Sequence, residues 1–299
     1  MRNVLKILIP IMLMNVSVII IIIKIKKEIS FVSAVIIVQM NIWITGASSG
    51  IGEACAYRYA TQGDQLILTS SSRERLEVVA ERCRQYGAGG VYVLPSDLSD
   101  LEGVGLLVRE AWDHFGGIDI LFLNAGISQR TSVEDTTMDM VRQIMEINYF
   151  APVAITKAVL PMMLNAGGGH IAVTTSIAGK FGFPLRCAYS SSKHALYGFF
   201  ETLRAEYYDK YIRVTIVCPG RVRTNISIRA LDKGGQPHGI MDPGQDKGMQ
   251  VDVAARKIVK AIRKGKREVF IGRGELIMVK IKRFFPGLSA WLVRRVKPT

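Results

Sequence analysis

At 299 residues with 49% apolar side chains, the chain is long enough to bury a sizeable core and too apolar to be disordered. Its formal net charge of +14 reads first as a solvated basic face and second as attraction to anionic lipid or to an anionic substrate or cofactor, and no nucleic-acid recognition motif accompanies it. Cys55, Cys83, Cys187 and Cys218 form no Cys-x-x-Cys pair and the four histidines are scattered, so neither a disulfide framework nor a metal centre is expected.

Residues 1–39 differ from the rest: they hold five Lys/Arg, one acid and twelve Ile, and residues 7–23 carry no charge. Two readings of this leader stand. One is a membrane anchor, short against the ~20 residues that span a bilayer, with Lys24, Lys26 and Lys27 on the cytoplasmic side. The other is a mis-assigned start, the true beginning being Met40. No small-x-small cleavage site follows cleanly, which disfavours a secretion signal. In either reading the leader stands apart from the fold. The domain is expected in the cytoplasm, or facing it from a membrane.

From Met40 onward, short β-rich runs alternate with helical patterns. Strands are expected at 41–45, 65–70, 91–95, 118–123, 170–175, 212–217 and 268–272. Helices are expected at about 50–62, 73–86, 100–115, 136–164, 188–209 and 251–264. Near-continuous apolar strands alternating with helices predict an α/β fold: a doubly wound, Rossmann-type, seven-stranded parallel sheet in one domain. Domain bounds of 40–275 follow, with a C-terminal extension over 276–299.

The first strand runs into Thr45-Gly46-Ala47-Ser48-Ser49-Gly50-Ile51-Gly52. Glycines between a strand and a helix allow a tight turn and close approach of backbone to a pyrophosphate, and the helix start supplies free N–H groups. The second strand ends in Thr69-Ser70-Ser71-Ser72-Arg73, without the acid that would pair with the ribose hydroxyls of NAD. Ser71 and Arg73 suit the 2′-phosphate of NADP instead, so NADP is the expected cofactor, with NAD as the alternative.

Further along, Ser176 ends an apolar run and precedes Tyr189 and Lys193. Four residues make about one helical turn, so Tyr189 and Lys193 share a helix face. A fixed cation beside a phenol lowers its pKa from about 10 toward neutrality, which makes Tyr189 a candidate acid/base. Residues 225–250 are polar and glycine-rich, too long for an ordinary turn, and read as a lid or a disordered loop. The 276–299 segment mixes Phe284, Phe285 and Trp291 with Lys280, Lys282 and Arg283, a basic amphipathic pattern suited to a membrane surface, the substrate cleft or a neighbouring subunit. Pro286-Gly287 interrupts any single helix there.

Together these motifs resemble the short-chain dehydrogenase/reductase family over residues 40–275. The resemblance implies that Gly46, Ser48, Ser49, Gly50, Ile51 and Gly52 cradle the cofactor, and that Asp97, with Leu98, contacts its adenine. Asn124, Ala125 and Gly126 would line the cleft, although Leu123 stands where the family carries a further Asn. Pro219, Gly220, Val222 and Thr224 would follow the cofactor toward its carboxamide. Asn148, Ser176, Tyr189 and Lys193 match the catalytic set: Tyr189 as proton donor, Ser176 holding the carbonyl oxygen, Lys193 on the nicotinamide ribose, and Asn148 holding a water behind Lys193. The runs 148–153 and 199–206 resemble the membrane-associated "member seven" group of these reductases. The implied function is NAD(P)(H)-dependent interconversion of a carbonyl and a secondary alcohol in a homodimer or homotetramer. Non-catalytic alternatives are a dinucleotide-binding sensor or scaffold and a membrane-anchored structural protein. Phe181, Phe183 and Leu185 suggest an apolar small-molecule substrate. Val141, Ile144, Met145, Leu196, Phe199, Phe200 and Leu203 are candidates for a subunit interface or for the protein's own core.

Overall fold

A computed structural model describes residues 39–295. The leader expected at 1–39 therefore lies, except for Gln39, outside the described residues, as do 296–299. Seven parallel strands form one sheet in the order β3-β2-β1-β4-β5-β6-β7: β1 Asn41–Thr45, β2 Gln65–Thr69, β3 Gly90–Val93, β4 Ile120–Leu123, β5 Gly169–Thr174, β6 Ile212–Pro219 and β7 Glu268–Ile271. The chain reverses its direction of strand addition between β1 and β4, so a crevice opens at their carboxyl ends.

The connecting helices are α1 Gly50–Ala60, α2 Arg73–Gln85, α3 Val104–Phe115, α4 Met138–Met145, α5 Ala151–Asn165, α6 Cys187–Glu206, α7 Pro243–Asp246 and α8 Val251–Arg263. Alternation along β1 shows why both faces are covered. Ile42 and Ile44 point into one apolar cluster with α1, α2 and α8, while Trp43 points into the other with α3, α5 and α6. The indole is not left unsatisfied: Trp43 Nε1 donates to Thr69 Oγ1 at 2.9 Å. Local signals agree with the packing. Ser72 and Thr137 cap α2 and α4 by accepting from the N–H groups of Arg75 and Met140.

Three expectations are modified. The helix expected at 136–164 is interrupted by a π turn over Glu146–Phe150, which holds Asn148 between α4 and α5. Met138–Asn165 is long and apolar enough to cross a bilayer, but Ile155, Val159 and Met163 are buried in the core. The 225–250 segment is pinned at Gln129↔Leu231 and Val222↔Met249 and contains α7. Of the interface candidates, Ile144, Leu196, Phe200 and Leu203 are consumed by the chain's own core, leaving Val141, Met145 and Phe199 partly exposed.

Beyond β7, helices α9 Ile277–Phe284 and α10 Pro286–Val293 meet at Phe285, with Pro286 breaking the helix. Leu276, Met278, Val279 and Val293 pack against Ile177, Phe181 and Cys218, while Ile277, Phe284, Phe285, Leu288 and Trp291 remain exposed.

Candidate active site

A cavity of about 710 Å³ opens at the carboxyl ends of the strands. Its floor begins with the glycine turn. Gly46 and Gly50 have φ of +65° and +61°, backbone that glycine adopts freely. Gly52 lies beneath the turn: a Cβ there would sit 2.3 Å from the Gly46 carbonyl oxygen. The Asn124 amide secures the turn from β4, with its Nδ2 3.3 Å from Thr45 O and 3.4 Å from Gly46 O. Thr45 Oγ1 accepts from the N–H groups of Asn124 and Ala125. These contacts fix an open backbone cradle that no side chain fills, which fits the phosphates of a dinucleotide.

Most of the expected residues come together on this one cavity. Gly46, Ser48, Ser49, Gly50, Ile51, Ser71, Asp97, Leu98, Asn124, Ala125, Gly126, Ser176, Tyr189, Lys193, Pro219, Gly220, Val222 and Thr224 all line it. Two expected residues stand behind the wall. Gly52 supports the turn from below, and Asn148 is 1% exposed. Asn148 clamps the strand end: its Oδ1 accepts from Ile127 N at 2.8 Å, and its Nδ2 donates to Ile127 O at 2.9 Å and Ser192 Oγ at 3.0 Å.

Arg73 does not line the cavity; it is exposed and reaches Glu77 at 3.7 Å. Two arginines that the sequence reading missed stand at that end. Arg75 lines the cavity beside Ser71, and Arg229, from the 225–250 segment, donates to Ser49 Oγ at 3.1 Å. Burial and the neighbouring Arg75 charge lower the Arg229 pKa.

At the other end, Ser176 Oγ accepts from Ala178 N at 3.1 Å and makes a long contact, 3.4 Å, to Pro219 O. Lys193 is buried, and its Nζ donates to Thr174 O at 2.9 Å and lies 5.8 Å from the Tyr189 ring centre. The electrostatics differ from the simple Lys-on-Tyr expectation. Burial pushes Lys193 down to about 7 and raises Tyr189, while Ser176, Arg186 and Arg130 pull the phenol back down. The expectation counted the cation and not the desolvation of both groups.

Phe183 lines the cavity, whereas Phe181 is buried beneath it and Leu185 does not reach it. Arg130, Arg186 and Asp242 also line it and were missed. Arg186 had a local signal, standing three residues before Tyr189. Arg130 and Asp242 are 112 residues apart and had none. Among the described residues no cluster of metal-ligating side chains occurs.

This fold and cavity are of the Rossmann type, with a backbone cradle suited to a dinucleotide. The short chain dehydrogenase family model matches residues 40–233, and the chain belongs to that family. It is 38% identical over 231 residues to Dehydrogenase/reductase SDR family member 7B of Mus musculus, covering 76% of this chain and 72% of that protein. It is 37% identical over 256 residues to Dehydrogenase/reductase SDR family protein 7-like of Drosophila melanogaster, covering 84% and 78%. Among solved structures it resembles a short-chain dehydrogenase from Sphingobium yanoikuyae in complex with NADPH (TM-score 0.68, 26% identity, 86% and 96% covered). The fold also matches a short chain dehydrogenase/reductase from Burkholderia phymatum in complex with NAD (TM-score 0.75, 23% identity, 87% and 96% covered).

Proposed function

We propose that the protein interconverts a carbonyl and a secondary alcohol, using NADP(H) in preference to NAD(H). The observation that carries this reading is the convergence of Ser176, Tyr189 and Lys193 on the same cavity as the glycine turn. When bound, the nicotinamide supplies or accepts the hydride at carbon. In reduction, Tyr189 gives its phenolic proton to the carbonyl oxygen, and in oxidation it takes that proton back. Ser176 donates to the same oxygen and stabilises the charge that develops there. Lys193, when protonated, favours the phenolate of Tyr189. Asn148 holds the 126–127 backbone beside Lys193 and keeps a path for proton return.

The NADP preference rests on Ser71, Arg75 and Arg229, the two guanidinium groups having no carboxylate partner among the described residues, where β2 ends without an acid. In this reading Arg75 takes the role that the sequence suggested for Arg73. The domain is taken as 40–275, and assembly into a dimer or tetramer would use the remaining exposed positions on α4 and α6. The exposed aromatics of α9 and α10, beside Lys280, Lys282 and Arg283, favour contact with an anionic membrane surface, as would an anchoring leader.

The test is NADPH and NADH oxidation by the full chain with a panel of ketones. Tyr189→Phe should lose roughly 10²–10⁴-fold in turnover while still binding the dinucleotide. Arg75→Glu should shift preference toward NADH. Turnover in Tyr189→Phe within about twofold of the parent would defeat the acid/base assignment and favour a dinucleotide-binding sensor or scaffold.

A further inference from the structure

The cavity wall beside Tyr189 holds charges that hydride transfer does not use. Arg130 and Arg186 share one carboxylate, Asp242. Arg130 is buried and each of its three guanidinium nitrogens has a partner. Its Nε meets Asp242 Oδ1 at 3.2 Å, its Nη2 meets Oδ2 at 2.5 Å, and its Nη1 donates to Ser128 Oγ at 3.1 Å and Gln129 O at 2.6 Å. Arg186 is different. It gives Asp242 Oδ2 one bond from Nη2 at 2.8 Å, and its Nε and Nη1 have no hydrogen-bond partner among the described residues. Its guanidinium lies 5.0 Å from the Phe183 ring centre, and both residues line the cavity.

Two guanidinium charges against one carboxylate leave one net positive charge in a wall with little solvent. Such a charge is costly unless something neutralises it. Burial and repulsion from Arg130 push Arg186 down to about 10, so it remains a cation at neutral pH. The backbone agrees that this position is held deliberately. Leu185 has φ of +60°, a conformation that a bulky residue avoids, and its carbonyl is fixed by Thr131 N at 3.2 Å. Asp242 comes from the 225–250 segment, so the same ion pairs hold that segment against the cavity. These charges are separate from Arg75 and Arg229, which stand at the Ser49 and Ser71 end.

We propose that Arg186, braced by Asp242 and Arg130, binds an oxyanion, a carboxylate or a phosphate, that the substrate carries near its reacting carbonyl. Asp242 occupies one N–H of Nη2 in the planar fork of Arg186, which leaves one N–H edge suited to such a group. Phe183 covers the apolar remainder of the substrate, so the apolar compound suggested by sequence would carry an anionic group beside its carbonyl. The inference rests on the carbonyl-reducing reading above.

The test compares charged ketones with neutral twins, using NADPH and the full chain. One pair is a 2-oxo carboxylate and its methyl ester; the other is a keto phosphate monoester and its free alcohol. The parent protein should prefer one charged member over its twin by about tenfold or more in kcat/KM, equivalent to about 1.4 kcal/mol. Arg186→Gln should bring that ratio close to one, and Arg186→Lys should keep part of it. The ratio within one variant cancels any loss of folded protein, and the pair that shows the preference separates carboxylate from phosphate. Turnover of neutral ketones without preference for either charged form, or a preference that survives Arg186→Gln, overturns the oxyanion site and leaves the reductase reading standing. No turnover of any ketone while NADPH still binds removes both.

Discussion

Asn148→Ala separates a structural clamp from a proton relay. The buried amide satisfies both the N–H and the C=O of Ile127, at 2.8 and 2.9 Å, from within the π turn. A polar group left without a partner costs about 1–3 kcal/mol. Ile127 is half-buried and can recover part of this from water, so the two groups together should cost about 2–4 kcal/mol. Ser192 Oγ still donates to Tyr189 O at 2.8 Å and adds little to the loss. For a domain of this size that stability change corresponds to a fall in Tm of roughly 5–15 °C. Asn148→Asp should fare no better, because it keeps the acceptor for Ile127 N and turns a carboxylate oxygen toward Ile127 O. Thermal and urea unfolding of the three proteins measure the effect. A Tm within about 1 °C of the parent, with turnover lost, would refute the clamp and leave Asn148 a purely chemical role.

His170 gives a pH dependence. Its Nε2 lies 2.8 Å from Thr215 Oγ1, whose own proton goes to Lys266 O, so Nε2 carries a proton and donates. Burial, with Arg213 nearby, pushes its pKa down to about 4. Against an unfolded value of about 6.5, this stability is fully present above pH 6.5 and is lost as pH falls to about 4, a loss of about 3 kcal/mol. Urea midpoints from pH 7 to 4 should show that slope, and His170→Gln should flatten it; an unchanged slope would mean that other groups cause it. Gly52→Ala should abolish stabilisation by NADPH in a thermal-shift assay, because its Cβ would lie 2.7 Å from Asn124 Nδ2 as well as against Gly46 O. Gly126→Ala should be milder, since its Cβ meets only Asn148 Oδ1 at 3.1 Å and Lys193 Nζ at 3.3 Å. Equal NADPH stabilisation in Gly52→Ala and the parent would refute the cradle geometry.

The elements were legible because each strand is a nearly unbroken apolar run and each helix a periodic one, which are local properties. The π turn was not, since an extra residue in a helix is settled by what the bulge packs against. An Asn inside an apolar helix was its only trace. Arg73 and Arg75 could not be ranked from sequence. Two residues are about 200° of helix rotation, and a small difference in where the helix starts decides which one faces the cleft. Ser176, Tyr189 and Lys193 were legible as a group because their spacing survives in the chain, and the fold brings them to one cavity. The Arg130–Asp242 pair was invisible because the fold joins it across 112 residues.

The same burial that assembles the site also sets its chemistry. A buried lysine near 7 is only partly charged at neutral pH, so Lys193 alone cannot hold Tyr189 low. Arg130 and Arg186 supply permanent charge nearby and already pull the phenol down against its own desolvation. An anion entering the cavity would favour the protonated form of Lys193, but it would also favour the neutral phenol of Tyr189 and offset the pull of the arginines. A lysine and a tyrosine one helical turn apart feel these charges only because the fold brings the distant Arg130 and Asp242 to the same wall as Arg186.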